Sequence, residues 1–261
     1  MTLTDAEVER YSRQLVLPEW SGEAQDRLRR STALVVGVGA LGSPAATYLA
    51  AAGVGRIGVV DADAVELSNL ARQPLHFTPD VGLMKADNAV VKLSALNPEV
   101  EVQAYPVSLT AANAEAIVAG ADVVVDCSDS FETRYTVNDA CCAQGVPLVE
   151  AGVLGFTGLV MSIRPRTSAC YRCAFPTPPP AGSVPSCREA GVLGAMAGVI
   201  GSLQALEALK LLSGVGDPLV DRILHVDGGT RWTVVETSRR PDCSACAESS
   251  APAQSGSTCS G

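Results

Sequence analysis

Residues 32–52, TALVVGVGALGSPAATYLAAA, decide the fold of this chain. The apolar run 32–38 is rich in β-branched residues, and residues 40–52 continue as a helical stretch of small residues. The turn between them carries a GxGxxG pattern made by Gly37, Gly39 and Gly42. At such a turn, backbone N–H groups and the helix N-terminus can face a phosphate group. The stretch therefore predicts a strand, turn and helix that hold a nucleotide, although a glycine turn without a ligand has the same pattern.

The same order of elements returns along the chain. Short apolar stretches that favour strands alternate with stretches that favour helices, and most of the strands are apolar throughout. Such strands are typical of a parallel sheet buried on both faces, so we expect an α/β, Rossmann-like, doubly wound fold. The predicted strands are 32–38, 56–60, 100–106, 122–127 and 147–151, and the predicted helices are 40–52, 84–96, 110–119 and 131–144.

The sequence after Gly152 changes in character. Strands separated by Gly and Pro turns predict an antiparallel, C-terminal extension of the mainly parallel sheet at 157–164, 222–227 and 231–237, with one long helix at 191–213. We expect one domain over residues 1–246 that begins with helices in 1–30. Five prolines predict a mobile loop within 174–187, and the polar residues 247–261 predict a disordered tail.

The composition excludes several classes of protein. The chain has 261 residues, 47% of them hydrophobic, which excludes a disordered protein. Its net charge of −9, without a basic cluster, argues against a nucleic-acid partner. The amino terminus is acidic where a secretory signal would be basic, and the apolar stretch 190–203 is too short to span a membrane. We expect a cytoplasmic protein that binds neither nucleic acid nor a membrane.

Acidic and basic residues follow the predicted strands where a nucleotide would bind. Asp61 and Asp63 come about 20 residues after the glycine turn, where an acid holds ribose hydroxyls. The glycine turn and these acids suit NAD, FAD and ATP equally well. The next residues favour MgATP, because cations offset phosphate charge and a carboxylate such as Asp129 coordinates Mg. They are Ser68, Asn69, Leu70, Arg72, Gln73, Lys85, Asp129 and Ser130.

The cysteines suggest a metal site, because a cytosolic chain keeps its thiols reduced. Cys170 and Cys173 form one CxxC pair, and Cys243 and Cys246 form a second. Four thiolates would close a tetrahedral zinc site of structural type. The long gap between the pairs leaves a redox pair or two unrelated turns open. Cys187 lies before a predicted helix and beside a cation, where a reactive thiolate is favoured, with an inert thiol as the alternative.

Several separated motifs together resemble the MoeB/ThiF family of ubiquitin-activating-enzyme-like proteins. They are YSRQ at 11–14, GVGALGSP at 37–44, DADAVELSNLARQ at 61–73, DCSDSFETR at 126–134, CYRC at 170–173 and CREAGVLG at 187–194. The similarity covers about residues 5–246. It implies an adenylation domain that uses MgATP to activate the C-terminal glycine of a ubiquitin-like sulfur-carrier protein ending in Gly-Gly. It also favours zinc at the four cysteines.

The resemblance implies roles for individual residues. Asp61 would hold the ribose, Asp129 would lie at the metal and the α-phosphate, and Arg13 would reach the active site of the partner subunit in a homodimer. Cys187 matches a cysteine proposed to carry the activated glycine or to join a sulfur-transfer disulfide. Phosphate contacts are implied for Asn69, Arg72, Gln73 and Lys85. The expected nucleotide set also includes Gly37, Gly39, Ala40, which replaces a frequent glycine of the family, Gly42, Asp63, Ser68, Leu70 and Ser130.

Three functions stay open at this point. The first is the ATP-dependent adenylyltransferase, for thiamine, molybdopterin or another sulfur product, with sulfur supplied by a separate donor protein. The second is an NAD- or FAD-linked oxidoreductase, against which the cations Arg72 and Lys85 argue. The third is a noncatalytic, zinc-stabilised scaffold for a ubiquitin-like protein. The two histidines, His76 and His225, have no partner motif and are interpreted as structural.

Overall fold

An eight-stranded mixed sheet forms the centre of the molecule in the computed structural model, which describes residues 3–180, 182–183, 190–228 and 231–247. The strand order is β3-β2-β1-β4-β5-β6-β7-β8. Neighbours from β3 to β5 are parallel, and β6, β7 and β8 add antiparallel pairs. The strands are β1 (Thr32–Val36), β2 (Arg56–Val60), β3 (Glu101–Tyr105), β4 (Val123–Asp126), β5 (Leu148–Leu154), β6 (Thr157–Ile163), β7 (Arg222–Asp227) and β8 (Trp232–Glu236). The predicted α/β fold with an antiparallel extension is confirmed.

Helices cover both faces of this sheet. They are α1 (Asp5–Arg10), α2 (Ser12–Leu15), α3 (Gly22–Arg30), α4 (Gly42–Ala52), α5 (Lys85–Leu96), α6 (Ala114–Val118), α7 (Phe131–Gln144), α8 (Tyr171–Ala174) and α9 (Gly194–Ser213). Successive side chains of β1 point to opposite faces, as strand geometry requires. Val35 packs into the core with α4, α5 and α9, whereas Leu34 and Val36 pack with α6 and α7. Both faces are therefore buried, which explains strands that are apolar throughout.

The strand order places the site. β2 and β4 lie on either side of β1. The chain adds β2 and β3 on one side of β1 and then crosses back to add β4 and β5 on the other side. The carboxyl ends of these parallel strands open a crevice at this reversal, where ligands of such sheets bind. The turns after β1, β2 and β4 all meet at that edge.

The long helix α9 is a core helix. By length and composition alone it is apolar enough to cross a membrane, and it is the one such helix among the described residues. Its buried side includes Ile200, Gly201 and Ala208, and it packs against α4, β5 and β6. A core helix of a soluble protein passes the same composition test. The packing agrees with the prediction of a buried helix.

Several predicted boundaries were wrong for local reasons. The strand predicted at 32–38 ends at Val36 because Gly37 has a positive φ of 82°. The helix predicted at 191–213 begins at Gly194, since Val192 forms a β-bridge with Gly155. The other shifted boundaries are the helices predicted at 40–52 and 110–119, found as α4 and α6, and the strands predicted at 100–106, 122–127, 147–151, 157–164 and 231–237, found as β3, β4, β5, β6 and β8.

The predicted loop and tail lie partly outside the described residues. Residue 174 ends α8, and the described part of the loop is 175–180 with 182–183. Of the tail, Ala247 alone is described. The mobility of the loop, the disorder of the tail and the single-domain organisation remain predictions.

Candidate active site

A cavity of about 290 Å³ opens at the carboxyl ends of β1, β2 and β4. Residues that are far apart in the sequence line it because the three strands end at the same edge of the sheet. Nine of the predicted nucleotide residues line the cavity: Gly37, Gly39, Ala40, Asp61, Asp63, Arg72, Gln73, Lys85 and Asp129. The structure therefore brings together the glycine turn, both cations and the acids after β2 and β4.

The glycine turn is shaped by close backbone approach. Gly37 has φ of 82°, a conformation that side chains rarely adopt, and a Cβ there would lie 3.1 Å from the Cys127 carbonyl oxygen. A Cβ at Gly42 would lie 2.0 Å from the Gly37 oxygen, so no side chain fits. In the described part of the chain, the N–H groups of Gly39 and Ala40 have no hydrogen-bond partner. They are free donors at the cavity wall.

Val38, in the middle of the turn, is held through both its backbone N–H group and its backbone carbonyl group. Its N–H donates to Asp61 Oδ2 at 2.9 Å. Its carbonyl oxygen lies 3.2 Å from His76 Nε2 and accepts a longer bond of 3.3 Å from the Ser43 hydroxyl. Asp61 Oδ1 also accepts from the Asp63 N–H at 2.9 Å. Asp61, predicted to hold ribose, thus also fixes the glycine turn.

The two predicted cations approach the cavity differently. Lys85 is the first residue of α5, and its side chain is 6% exposed. Its Nζ donates to Asp63 Oδ2 at 2.9 Å, and the Asp63 side chain is 73% exposed. The half-buried Arg72 donates from Nη1 to the Ser68 carbonyl oxygen at 2.9 Å. Both cations have partners that leave room for an anion, because Asp63 is open to solvent and a carbonyl group carries no net charge.

Two buried polar atoms at the cavity lack partners within the described residues. They are Gln73 Oε1 and Ser128 Oγ. A buried oxygen without a hydrogen bond costs free energy, so it commonly marks a place where a ligand or water supplies the partner. Gln73 was predicted to contact phosphate, whereas Ser128 was not among the predicted site residues. Both atoms fit a polar ligand.

The remaining predicted nucleotide residues shape the loops around the cavity. Ser130 caps α7, since its hydroxyl accepts from the Thr133 N–H at 3.0 Å. Asn69 is buried and accepts from the Glu66 N–H, and the Ser68 hydroxyl donates to Glu66. Leu70, the residue after Asn69, is half-buried. These residues, together with Gly42, are not among the residues that line the cavity in the described chain.

Arg134 is a cavity residue that sequence reasoning missed. It lies one turn into α7, and its side chain is 12% exposed. Nη2 donates to the Ser128 carbonyl oxygen at 3.1 Å, and Nη1 lies 3.3 Å from Glu150 Oε1. Burial and then the neighbouring Asp126 raise the pKa of Glu150 well above its usual value, while Arg134 opposes this shift. The motif DCSDSFETR contained Arg134, but nothing in the sequence linked it to Glu150.

The predicted roles of Arg13 and Cys187 are not tested by the structure. Arg13 lies exposed on α2 and is not among the residues lining the cavity. This placement leaves its predicted role in a partner subunit as a prediction. Cys187 lies outside the described residues, so its role as a reactive thiol is also untested.

The four CxxC cysteines meet, as predicted. Their Sγ atoms all lie within 4.8 Å of one another, and all four residues are buried. Three of the separations are 3.5 Å for Cys170–Cys243, 3.8 Å for Cys170–Cys173 and 3.4 Å for Cys173–Cys246. Tetrahedral zinc with Zn–S bonds of about 2.3 Å requires sulfur separations of about 3.8 Å. The cluster therefore fits zinc, and four thiolates leave no open position for water or substrate.

Comparisons with known proteins agree with this geometry. The ThiF family model matches residues 11–245. A sulfur carrier protein adenylyltransferase of Thermus thermophilus is 49% identical over 95% of this chain and 94% of that protein. The adenylyltransferase and sulfurtransferase MOCS3 of Bos taurus is 50% identical over 94% of this chain, which spans 54% of the MOCS3 length. A crystal structure of E. coli MccB with ATP has the same fold, with a TM-score of 0.82 at 23% identity over 91% of this chain and 74% of that one.

Proposed function

Because the chain belongs to the ThiF family, we propose that it is an adenylyltransferase that uses MgATP to activate the C-terminal glycine of a small ubiquitin-like sulfur-carrier protein. Two relatives that are about half identical to it over most of its length are named for adenylyl transfer, one of them to a sulfur carrier protein. The family and the names of the relatives support the reaction class. The cavity supports it independently.

The observation that carries the proposal is the meeting of free N–H donors and cations in one cavity. The Gly39 and Ala40 N–H groups are unpaired within the described chain, and Lys85 and Arg72 line the same wall. N–H groups at a helix N-terminus and two cations suit a polyphosphate. A nicotinamide or flavin dinucleotide uses one acid at this edge for its ribose and has no need of two cations and the further acid Asp129.

The reaction needs approach of two anions. A carboxylate oxygen of the carrier glycine forms a bond to the α-phosphorus of ATP, the bond from that phosphorus to the bridging oxygen breaks, and pyrophosphate leaves. No general base is required, since the carboxylate is already ionised at neutral pH. Arg72 and Lys85 would offset the repulsion and the charge on the leaving pyrophosphate. Asp61 would bind the ribose.

Asp129 is the residue that would hold the magnesium ion. It follows β4, lines the cavity and is exposed, so its carboxylate oxygens are accessible. Hard oxygen ligands of this kind are those that Mg²⁺ prefers. Magnesium would neutralise phosphate charge. Zinc at the four cysteines would act structurally, because it ties residues 170–173 to residues 243–246.

The assembly and partners complete the proposal. We propose a cytoplasmic homodimer in which Arg13 enters the site of the other subunit, with Cys187 as a reactive thiol and a separate protein as sulfur donor. The exposed position of Arg13 on α2 supports the first part. The carrier, whether for thiamine, molybdopterin or another sulfur product, is identified by offering each class to the enzyme.

Carrier-dependent exchange of labelled pyrophosphate into ATP tests the function. The full chain is incubated with MgATP and a carrier ending in Gly-Gly, and the matched substrate control is a carrier without its last glycine. Lys85→Ala should lower the exchange rate by about 100-fold or more, since one charge contact to the transition state is lost. Arg30→Ala, a surface cation paired with Asp26, should leave the rate unchanged.

Each alternative function predicts its own result when the binding of nucleotides and carrier is measured together with the exchange rate. Binding of NAD or FAD without binding of ATP would replace the proposal by an oxidoreductase. Binding of carrier and ATP without exchange for any carrier class would favour the noncatalytic scaffold. Exchange that survives Lys85→Ala would contradict the role of the cavity cations.

A further inference from the structure

His76 is a buried histidine that the proposed reaction does not use. It is 2% exposed and lies between the glycine turn and α5. Its Nε2 is 3.2 Å from the Val38 carbonyl oxygen, and its Nδ1 is 2.8 Å from Asn88 Nδ2. Burial lowers the pKa of His76, and the charge of nearby Lys85 acts in the same direction. The ring is therefore neutral at pH 7 and carries its proton on one nitrogen.

The neighbouring residues decide which nitrogen carries the proton. Asp80 Oδ2 accepts hydrogen bonds from the Phe77 N–H at 2.7 Å and from Lys92 Nζ at 3.0 Å. Asn88 Nδ2 lies 3.2 Å from the same oxygen, and a carboxylate only accepts, so this atom is the amide nitrogen. The amide then also donates to His76 Nδ1, which has to be the unprotonated nitrogen. The proton is on Nε2, and the ring donates to the Val38 carbonyl.

The peptide group between Val38 and Gly39 connects the histidine to the cavity. In a trans peptide the carbonyl of one residue and the N–H of the next point in opposite directions. The Val38 carbonyl is held by His76, so the Gly39 N–H points away from the histidine, toward the cavity that Gly39 lines. We propose that His76 is a positioning residue that aims the Gly39 N–H at a phosphate group of ATP. This inference rests on the nucleotide-binding function proposed above.

The role differs from that of a packing residue in what it predicts for substitutions. Gln places its amide nitrogen about where Nε2 lies, whereas Asn places it about where Nδ1 lies. His76→Gln should therefore keep the bond to Val38, and His76→Asn should lose it. The longer bond from Ser43 remains in both variants. A residue that only fills space would show similar losses with both amides.

The test combines binding with spectroscopy on the full chain. The dissociation constant of MgATP, measured calorimetrically, should rise about tenfold in His76→Asn and stay within about twofold in His76→Gln. The control is His225→Asn on the exposed side of β7, which should bind MgATP as the wild type does. Equal weakening in the two His76 variants, or no weakening in His76→Asn, would overturn the role of His76. A wild-type chain that does not bind MgATP would overturn the proposed function itself.

A second measurement does not depend on any His76 variant folding. The chain has two histidines, so a two-bond ¹H–¹⁵N spectrum of the ring nitrogens contains two sets of signals. His225→Gln assigns the remaining set to His76. At pH 7 the spectrum should show a neutral ring with its proton on Nε2. A proton on Nδ1, or a doubly protonated ring, would refute the positioning mechanism whatever the affinities are.

Discussion

Replacing Arg134 by Met removes the cation that, among the described residues, lies at the cavity beside two buried acids. Asp126 and Glu150 are register partners on the parallel strands β4 and β5, and both residues are 0% exposed. Two acids on neighbouring strands repel each other, and Arg134 on α7 compensates for this repulsion. The same guanidinium donates to the Ser128 carbonyl oxygen beside Asp129. The substitution should therefore change both stability and nucleotide affinity.

The size of the effect follows from the geometry. Arg134 Nη1 and Glu150 Oε1 are 3.3 Å apart, a separation at which unit charges attract by about 5 kcal/mol in an effective dielectric constant of about 20. Removing one partner of a buried pair costs about 3–5 kcal/mol, because the other charge stays buried without compensation. We expect a loss of this size in the free energy of unfolding at a pH where Glu150 is ionised in the wild-type protein.

The loss should depend on pH with a definite sign. Burial and Asp126 raise the pKa of Glu150, and without Arg134 this pKa rises further. A carboxyl group with a raised pKa in the folded state stabilises that state below its unfolded pKa, and the contribution is lost as the pH rises. The deficit of Arg134→Met should therefore be small where Glu150 is protonated in both proteins and should grow as the pH rises through its folded-state pKa.

Urea denaturation at several pH values between 5 and 10 measures the deficit. Arg30→Met, which breaks an exposed ion pair, should cost less than about 0.5 kcal/mol at every pH. Glu150→Gln combined with Arg134→Met should recover part of the loss, because the uncompensated charge is gone. A deficit below about 1 kcal/mol at the highest pH, or one that does not grow as the pH rises, would refute the electrostatic explanation.

Three further predictions follow from other contacts. Cys170→Ser should lower the zinc content from one ion per chain, measured by atomic absorption, and lower the unfolding temperature by about 10 °C; unchanged values would contradict the zinc site. Gly201→Ala places a Cβ 2.3 Å from the Leu41 oxygen, so it should cost about 1–3 kcal/mol in urea denaturation, and a neutral effect would mean that α9 shifts freely. Because burial lowers the pKa of His76, wild-type stability should fall as the pH drops below about 6.5, with the unfolded chain taking up the proton. A comparison of urea midpoints at pH 5 and 7 should show a smaller fall in His76→Gln than in His225→Gln.

The cavity and most of its lining were predictable because they depend on rules that act locally. The glycine turn follows from the positions of Gly37 and Gly42, whose backbones approach too closely for a side chain. The convergence of Asp61, Lys85 and Asp129 follows from the common edge of parallel strands, once the strands are recognised. The family resemblance, and not the spacing, favoured the pairing of the two CxxC motifs that the structure brings together. None of these predictions required the register of the sheet.

The buried contacts that support the residues lining the cavity were not predictable. Glu150 lies beside Asp126 only because β4 and β5 pair in one register, and a shift by one residue would turn the two acids to opposite faces. His76 was interpreted as structural together with His225, yet His76 is buried in a hydrogen-bond chain whereas His225 is exposed on β7. The distinction depends on Asn88, Asp80 and the Val38 carbonyl, which no local pattern connects.

The supporting contacts and the cavity cations should fail in different ways. In the proposed site His76 would act through the Val38 carbonyl and Arg134 through the Ser128 carbonyl, so loss of either should misplace groups expected to bind ATP before and during the reaction. Losing such uniform binding raises KM for ATP and changes kcat little. Lys85 lines the same cavity and in the proposed reaction would offset charge on the leaving pyrophosphate, so its loss should lower kcat as well. A fall in kcat with unchanged KM for ATP in His76→Asn would place this histidine on the reacting groups and contradict the positioning mechanism.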